Sequence, residues 1–355
     1  MKAIILCAGL GTRLRPLTFS IAKHLIPVGN KPVLFFVIEN LANVGVREIG
    51  LIVSKESQPI IEPAVGAGQR WGVQISYIEQ PHPKGLAHAA QCGESFVDGD
   101  CFIMYLGDNL IPEGMGEAVR RFEASGADAL VMLKEVADPS AFGIAQLEGD
   151  RIVKLVEKPK QPPSNLAIVG GYVFRPSIFE SIRQIKPSWR NEYEITDAIQ
   201  NLIDRRLEVV PYVLTSWWKD TGKPEDILDA NRVILESISA THSGSVDDAS
   251  TVDGPVHIAE AAQVIRSQIE GPAIIGAGAR IVDSYVGPYS SIGDGVEIVR
   301  SRVEDSVIME GTKVEDFPGP LTRSLVGRKV RMRGGRSAQA VALLVGDMCE
   351  IDLGQ

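Results

Sequence analysis

From Lys2 to about Leu235 two textures alternate along the chain. Short apolar runs rich in β-branched residues predict strands at 3–7, 49–53, 74–77, 101–105 and 129–133. Longer stretches of helical period lie between them, as at 32–44, 86–96 and 116–125. Pro32 suits a first-turn position, where its missing N–H costs nothing. Further strands are expected at 154–160, 167–174 and 207–213, with an antiparallel excursion around the proline-rich turn 160–164. Strands alternating with helices predict an α/β fold on a mainly parallel sheet.

After about Ser239 the helical period stops, and Val or Ile recurs every five to six positions among Gly, Ser and Asp. Ile269, Ile275 and Ile281 form one series with a step of six, and Val286, Ile292 and Ile298 form another after a one-residue slip. Such a period describes a β-helix, in which each short strand buries one aliphatic residue and turns at small ones; an irregular β-sandwich is the alternative. Two domains are therefore expected, 1–239 and 240–355. The basic run 327–335, with Arg328, Lys329, Arg331 and Arg333, reads as a solvated face.

Composition narrows the field. Apolar residues make up 45% of the 355, enough to fill two globular cores. The 36 basic residues are outnumbered by 45 acidic ones, a net charge of −9 that argues against a nucleic-acid or anionic-membrane partner, so any polyphosphate ligand must be gripped locally. No uninterrupted apolar run exceeds that at 33–38, far short of the ~20 residues of a spanning helix. The first residues run straight from an apolar stretch into glycines with no cleavage-site pattern, so a cytoplasmic location is expected. Cys7, Cys92, Cys101 and Cys349 lack metal-site or disulfide-framework spacing and read as reduced thiols.

Candidate chemistry sits at predicted strand ends. Leu6-Cys7-Ala8-Gly9-Leu10-Gly11-Thr12-Arg13 follows the first strand, and a glycine-rich turn there presents backbone N–H groups to an anion. It matches neither the P-loop nor the dinucleotide fingerprint. Gln80-Pro81-His82-Pro83-Lys84-Gly85 also follows a strand: Gln80 can donate and accept toward a base edge, and Gly85 permits close stacking on a ring. His82 and His88 read as packing or surface residues. Asp108, in Leu106-Gly107-Asp108-Asn109, and Asp220, in Trp218-Lys219-Asp220, also follow predicted strands; two carboxylates suit Mg²⁺, though sequence alone proves no proximity.

Gly9-Leu10-Gly11-Thr12-Arg13, followed by Lys23 and Lys31-Pro32, resembles the signature of sugar-1-phosphate nucleotidylyltransferases. The segment from Gln80 to His88 resembles the base-reading segment of the long-form glucose-1-phosphate thymidylyltransferases within that family. The likeness spans about residues 1 to 235, and the hexapeptide tail agrees with the long form. It implies a Rossmann-like nucleotidyltransferase domain followed by a left-handed β-helix. It also implies transfer of a deoxythymidylyl group from dTTP to α-D-glucose 1-phosphate, giving dTDP-glucose and pyrophosphate by in-line, Mg²⁺-assisted attack. On this likeness the nucleotide is bound by Leu6, Gly9, Gly11, Thr12, Arg13, Lys23, Gln80, Pro81, Gly85 and Asp108. The sugar phosphate meets Asn109, Gly143, Glu157, Lys158, Ile168 and Tyr193; Asp108 and Asp220 hold the metal; and Arg13, Lys23 and Lys158 join them in catalysis.

Two positions depart from the family pattern, Ala8 and Asn191, where glycine is usual. UTP in place of dTTP, an acyltransferase activity in the tail, and a non-catalytic sugar-nucleotide-binding subunit are the alternatives. His257 lies at the entrance of the hexapeptide repeats and His242 just before it, which leaves the acyltransferase reading without an evident base. A homo-oligomer formed through the β-helix is expected, because its open ends call for cover.

Overall fold

The apolar runs at 3–7, 49–53, 101–105 and 129–133 form strands buried on both faces, whereas that at 74–77 lies at the sheet's margin with Gln74 exposed. The structure, a computed structural model, describes residues 1–334 and 339–354; Gly335, the end of the basic run, and Gln355 lie outside the described residues. Gln74–Glu79, Glu48–Val53, Lys2–Leu6 and Phe102–Leu106 lie side by side in that order, all parallel, within a nine-stranded sheet. Chain order reverses at Lys2–Leu6, which is hydrogen-bonded to Glu48–Val53 on one side and Phe102–Leu106 on the other. Leu166–Phe174 runs antiparallel beside Phe102–Leu106 and also carries Ala129–Glu135 and Gly143–Glu148 as antiparallel partners. Val209–Val213 and Arg151–Glu157 complete the sheet.

Ala87, Ala89 and Ala90 are buried on the helix Leu86–Cys92, whose small side chains let it lie close to the sheet. The rings of Phe102 and Phe179 stack at 5.2 Å within the same core. The helix expected at 86–96 is interrupted at Gly93 and resumes as Glu94–Val97. A Cβ on Gly93 would come within 3.1 Å of Ile4, so the strand beneath dictates the glycine. The antiparallel turn falls at Gly149 (φ +61°), between Gly143–Glu148 and Arg151–Glu157, not at 160–164. Residues 160–164 instead connect two strands that are not sheet neighbours.

From Thr241 the chain winds into a left-handed β-helix of three parallel stacks, which among the described residues hold seven, seven and five strands. Pairing of Val256 with Ala273, and of Ala273 with Ser290, sets a 17-residue coil. Ile269, Ile275 and Ile281 fall on three successive faces of one coil, and Val286, Ile292 and Ile298 on the next, all fully buried. The one-residue slip is therefore the difference between three hexapeptides and a 17-residue turn. Compactness divides the chain into Met1–Leu10 with Leu34–Asp220 as one unit, and Gly11–Val33 with the chain from Thr221 on as the other. Among the described residues no helix is long and apolar enough to cross a membrane.

Candidate active site

In the first unit, four parallel strands deliver their carboxyl ends to one edge of the sheet. Backbone bonds extend the pairing just past the strands: Cys7 N donates to Ile52 O (2.7 Å), Gln80 N to Val53 O (2.7 Å) and Gly107 N to Leu6 O (3.1 Å). The start of the glycine loop, Gln80 and the turn before Asp108 thus share this edge, at the point where strand order reverses. Open α/β sheets bind ligands there. Gly9 is exposed at the edge, while Leu6 and Ala8 are buried; Ala8 keeps its backbone N–H for use and its methyl fits inside.

Topology brings together the two segments that bear the candidate metal carboxylates. Asn109–Leu110 and Lys219–Asp220 form a two-residue antiparallel ladder in which Asp220 pairs with Asn109, the neighbour of Asp108. Asn109 is buried and acts as a brace, its amide donating to Asp108 Oδ1 (2.9 Å) and its oxygen accepting from Trp218 Nε1 (2.6 Å). Trp218 in turn meets Phe142 edge-on at 5.2 Å. Gly170 makes the room, since a Cβ there would fall 2.7 Å from Asn109 Cγ. No group of three or more His, Cys, Asp or Glu side chains is placed to hold a metal among the described residues. Two hard oxygen donors fit an ion that keeps waters and takes its other ligands from phosphate, which is the habit of Mg²⁺.

A second cluster gathers Gly143, Glu157, Ile168 and Thr196. Glu157 pairs with Gly143 across the hairpin, and a Cβ on Gly143 would lie 3.0 Å from both Glu157 Oε2 and Thr196 Oγ1 and 3.1 Å from Ile168 Cδ1. Thr196 donates to Glu157 Oε2 (2.7 Å), and Arg190 lies 3.5 Å from Oε1. Burial together with the Glu157 charge raises the Asp197 carboxyl. Burial also raises Glu194, the Ser188 hydrogen bond and Arg190 working against it. Lys158 sits at φ +41°, a conformation costly for a side-chain-bearing residue, with Nζ 3.8 Å from Glu157. Asn191, at φ +60°, occupies the left-handed region that glycine and asparagine share, so the departure from the family's glycine costs little.

The Gln80 loop closes on Tyr193. Gly85 has φ +102°, and a Cβ there would strike Tyr193 O at 2.5 Å. Glycine at this position thus answers to the protein's own backbone. Tyr193 N donates to Lys84 O (2.7 Å), and Ala87 N to Tyr193 O (3.0 Å). Gln80 is buried, its amide nitrogen 3.3 Å from Gly85 O and 3.0 Å from His88 Nδ1. His88, read from sequence as a packing residue, therefore orients Gln80. Pro81 is exposed.

In the second unit Gly11 adopts φ +62° and opens the turn Thr12–Leu14. A Cβ on Gly11 would meet Lys23 Cβ at 2.9 Å, and Thr18 Oγ1 donates to Gly11 O (2.8 Å), so the turn and Lys23 form one packed element. Thr12 and Arg13 are exposed, and the Arg13 guanidinium has no hydrogen-bond or ion-pair partner among the described residues. Thr196, Trp218, Arg190 and His88 escaped assignment from sequence. Trp218 and His88 lay inside motifs quoted for other residues, and the contacts of Thr196, Trp218 and Arg190 with Glu157 or Asn109 join positions more than thirty residues apart.

The nucleotidyl transferase family model matches residues 2–237. The chain is 42% identical over 349 residues to a glucose-1-phosphate thymidylyltransferase of Streptomyces griseus, covering 98% of each. It is 48% identical over 263 residues to the low-salt glycan biosynthesis nucleotidyltransferase Agl11 of Haloferax volcanii, covering 74% of each. A crystal structure described as a glucose-1-phosphate thymidylyltransferase from Bacillus anthracis superposes with a TM-score of 0.63 at 34% identity, over 68% of this chain and 97% of that one.

Proposed function

The chain belongs to the nucleotidyl transferase family, and from that premise we propose that it joins dTTP to α-D-glucose 1-phosphate, giving dTDP-glucose and pyrophosphate. The observation that carries this reading is the ladder that sets Asp220 opposite Asn109, beside Asp108, at the ligand-binding edge of the sheet. The relative similar along 98% of its length, named for the same activity, supports the choice of substrates.

On this reading an oxygen of the sugar phosphate attacks the α-phosphorus in line. The new P–O bond forms as the bond to the β-phosphate oxygen breaks, and the electron pair leaves on pyrophosphate. The attacking phosphate is already anionic, so no general base is required. Arg13 and the N–H groups of Gly9, Gly11 and Thr12 grip the leaving phosphates, with Leu6 beneath, and Lys23 offsets charge growing at the α-phosphate. Asp108 and Asp220 hold Mg²⁺, which when bound would polarise the phosphate oxygens. Glu157 accepts from sugar hydroxyls, Gly143 offers its N–H, and Lys158 faces the sugar phosphate as a point charge, with Asn109, Ile168 and Tyr193 shaping that side. Gln80, with Pro81 and Gly85, reads the pyrimidine.

Residues 1–239 then carry the transfer in the cytoplasm, where nucleoside triphosphates are found. Residues 240–355 serve as scaffold and as the surface through which copies of the chain associate, which sedimentation tests. The decisive assay is pyrophosphate release with glucose 1-phosphate and either dTTP or UTP. We expect dTTP to give the higher kcat/KM; preference for UTP overturns the nucleotide assignment. Asp108→Asn and Asp220→Asn should each lower kcat ~100-fold or more at saturating Mg²⁺, on the scale of losing a transition-state charge stabiliser. Near-normal turnover in both variants would remove the metal assignment.

A further inference from the structure

The segment that bears Arg13 and Lys23 rests on the β-helix at both of its ends. At one end Ser20 Oγ donates to Asp347 Oδ2 (2.8 Å), and Arg328 reaches Ser20 O (3.4 Å). Asp347, with a side chain only 3% exposed, also takes two hydrogen bonds from the Arg328 guanidinium (2.9 and 2.6 Å) and one from Arg328 N (2.7 Å). Arg328, read from sequence as part of a solvated basic face, is thus a member of a half-buried ion pair. Gly346 lies directly beneath the loop, since a Cβ there would be 3.1 Å from Pro16 O.

At the other end Asn30 Nδ2 donates to Ile292 O (2.6 Å), and Gly29 N donates to Asn231 Oδ1 (2.9 Å). Asn231 is itself tied to Ser291 and Tyr289. Between these anchors, Leu17 O and Leu17 N–H belong to the short turn Leu17–Phe19, and Thr18 of that turn holds Gly11 O. Gly11 abuts Lys23. An unbroken run of contacts therefore leads from Asp347 through Ser20 and Thr18 to the turn that presents Arg13.

We propose that Ser20 and Asp347 are positioning residues for nucleotidyl transfer: the late coil of the β-helix that bears Asp347 is the seat of the phosphate-gripping turn and fixes the placement of Arg13 and Lys23. This rests on the roles given above to those two cations. Asp347 suits the task because a buried carboxylate with several donors has one low-energy orientation, and Ser20 takes the oxygen lone pair left over. Contacts made only in the transition state are the ones most sensitive to small displacements of such a turn.

The test uses the full-length chain with Ser20→Ala, Ser20→Thr, Asp347→Asn and the double variant Ser20→Ala/Asp347→Asn. We expect Ser20→Ala and Asp347→Asn each to lower kcat/KM for dTTP about tenfold, an effect in keeping with sub-ångström misplacement, while KM for glucose 1-phosphate stays within about twofold. Ser20→Thr, which keeps the hydroxyl, should restore most of the loss, and the double variant should be no worse than the poorer single. Amide exchange of residues 11–23 in the substrate-free protein should quicken in Ser20→Ala. Unchanged kinetics in Ser20→Ala, with or without a lower Tm, or additive losses in the double variant, overturns the proposal. If the unmodified chain releases no pyrophosphate from either nucleotide, the proposed reaction falls instead. The exchange measurement then decides the seat alone: unaltered exchange at 11–23 rejects it.

Discussion

If the Gln80 loop reads the base as proposed, the orientation of one amide decides which bases it accepts. Its nitrogen faces Gly85 O and His88 Nδ1, so its oxygen is left to accept, which matches the ring N–H of thymine or uracil and opposes the bare ring nitrogen of cytosine. His88→Leu removes one of the two acceptors that hold this orientation, and discrimination of dTTP against dCTP should fall about tenfold, the worth of ~1.4 kcal/mol. Unchanged discrimination would show that Gly85 O suffices. The geometry requires His88 to be neutral, and burial, followed by Lys84 and His82, does lower its proton affinity from the ordinary 6.5. Below 6.5 the unfolded chain takes up a proton that the folded chain resists. The stability tied to neutral His88 is thus present above that value and is lost as pH falls through the lowered one. Urea midpoints taken between pH 7.5 and 5.5 should drop more for the unmodified chain than for His88→Leu. Gln80 was legible in sequence as a candidate base reader, but its brace was not: His88 read as a packing or surface residue, and only the structure sets its ring against the Gln80 amide. Asp108 and Asp220 were legible as candidates because each follows a strand, but only the ladder makes them neighbours.

Elements were legible in proportion to how local their causes are. The hexapeptide series named the β-helix because each coil repeats one instruction: bury an aliphatic residue, then turn. What the series did not disclose is how the turns are fastened. Ser267 N donates to Ser250 Oγ, Ser284 N to Ser267 Oγ, Ser301 N to Ser284 Oγ and Phe317 N to Ser301 Oγ, a ladder of hydroxyls climbing one corner. Beside it Arg266 pairs with Asp283 and Arg300 with Asp316, all four at positive φ. The exposed ion pairs add little in water; the buried hydroxyls matter more. Ser284→Ala strands the N–H of Ser301 and should cost ~1–3 kcal/mol, read as a lower urea midpoint. Arg300→Ala should shift it far less, and the reverse ranking would contradict the ladder's role. In the sheet, strand Gly143–Glu148 was missed because its Gly143-Ile144-Ala145-Gln146 start lacks a strong β-branched run, and its partnership is fixed by a hairpin at Gly149.

At the scale of the molecule, the sequence break near Ser239 marks a change of texture, and compactness draws a different line. Gly11–Val33, from the amino-terminal stretch, packs in one unit with the chain beyond Thr221. The physical reason is visible at Gly29, where a Cβ would sit 2.7 Å from Ile234 Cγ2 and 3.6 Å from Ile274 Cδ1, and at Asn30, whose amide ends on a carbonyl of the β-helix. A chain ending near residue 240 keeps every motif of the family signature and also Ile234, yet it strips Ile274, the Ile292 carbonyl and Asp347 from the segment that bears Arg13 and Lys23. Each hydrogen bond lost to the β-helix costs ~0.5–1.5 kcal/mol, to which the uncovered apolar surface adds, against a total stability of ~5–15 kcal/mol. The truncated chain should therefore lose pyrophosphate release and show rapid proteolysis within residues 11–33, whereas Trp218, braced by Asn109 inside the first unit, should keep its native fluorescence. Full activity in the truncated chain would mean that the motifs alone hold the phosphate loop in place, and that the β-helix is dispensable to the chemistry.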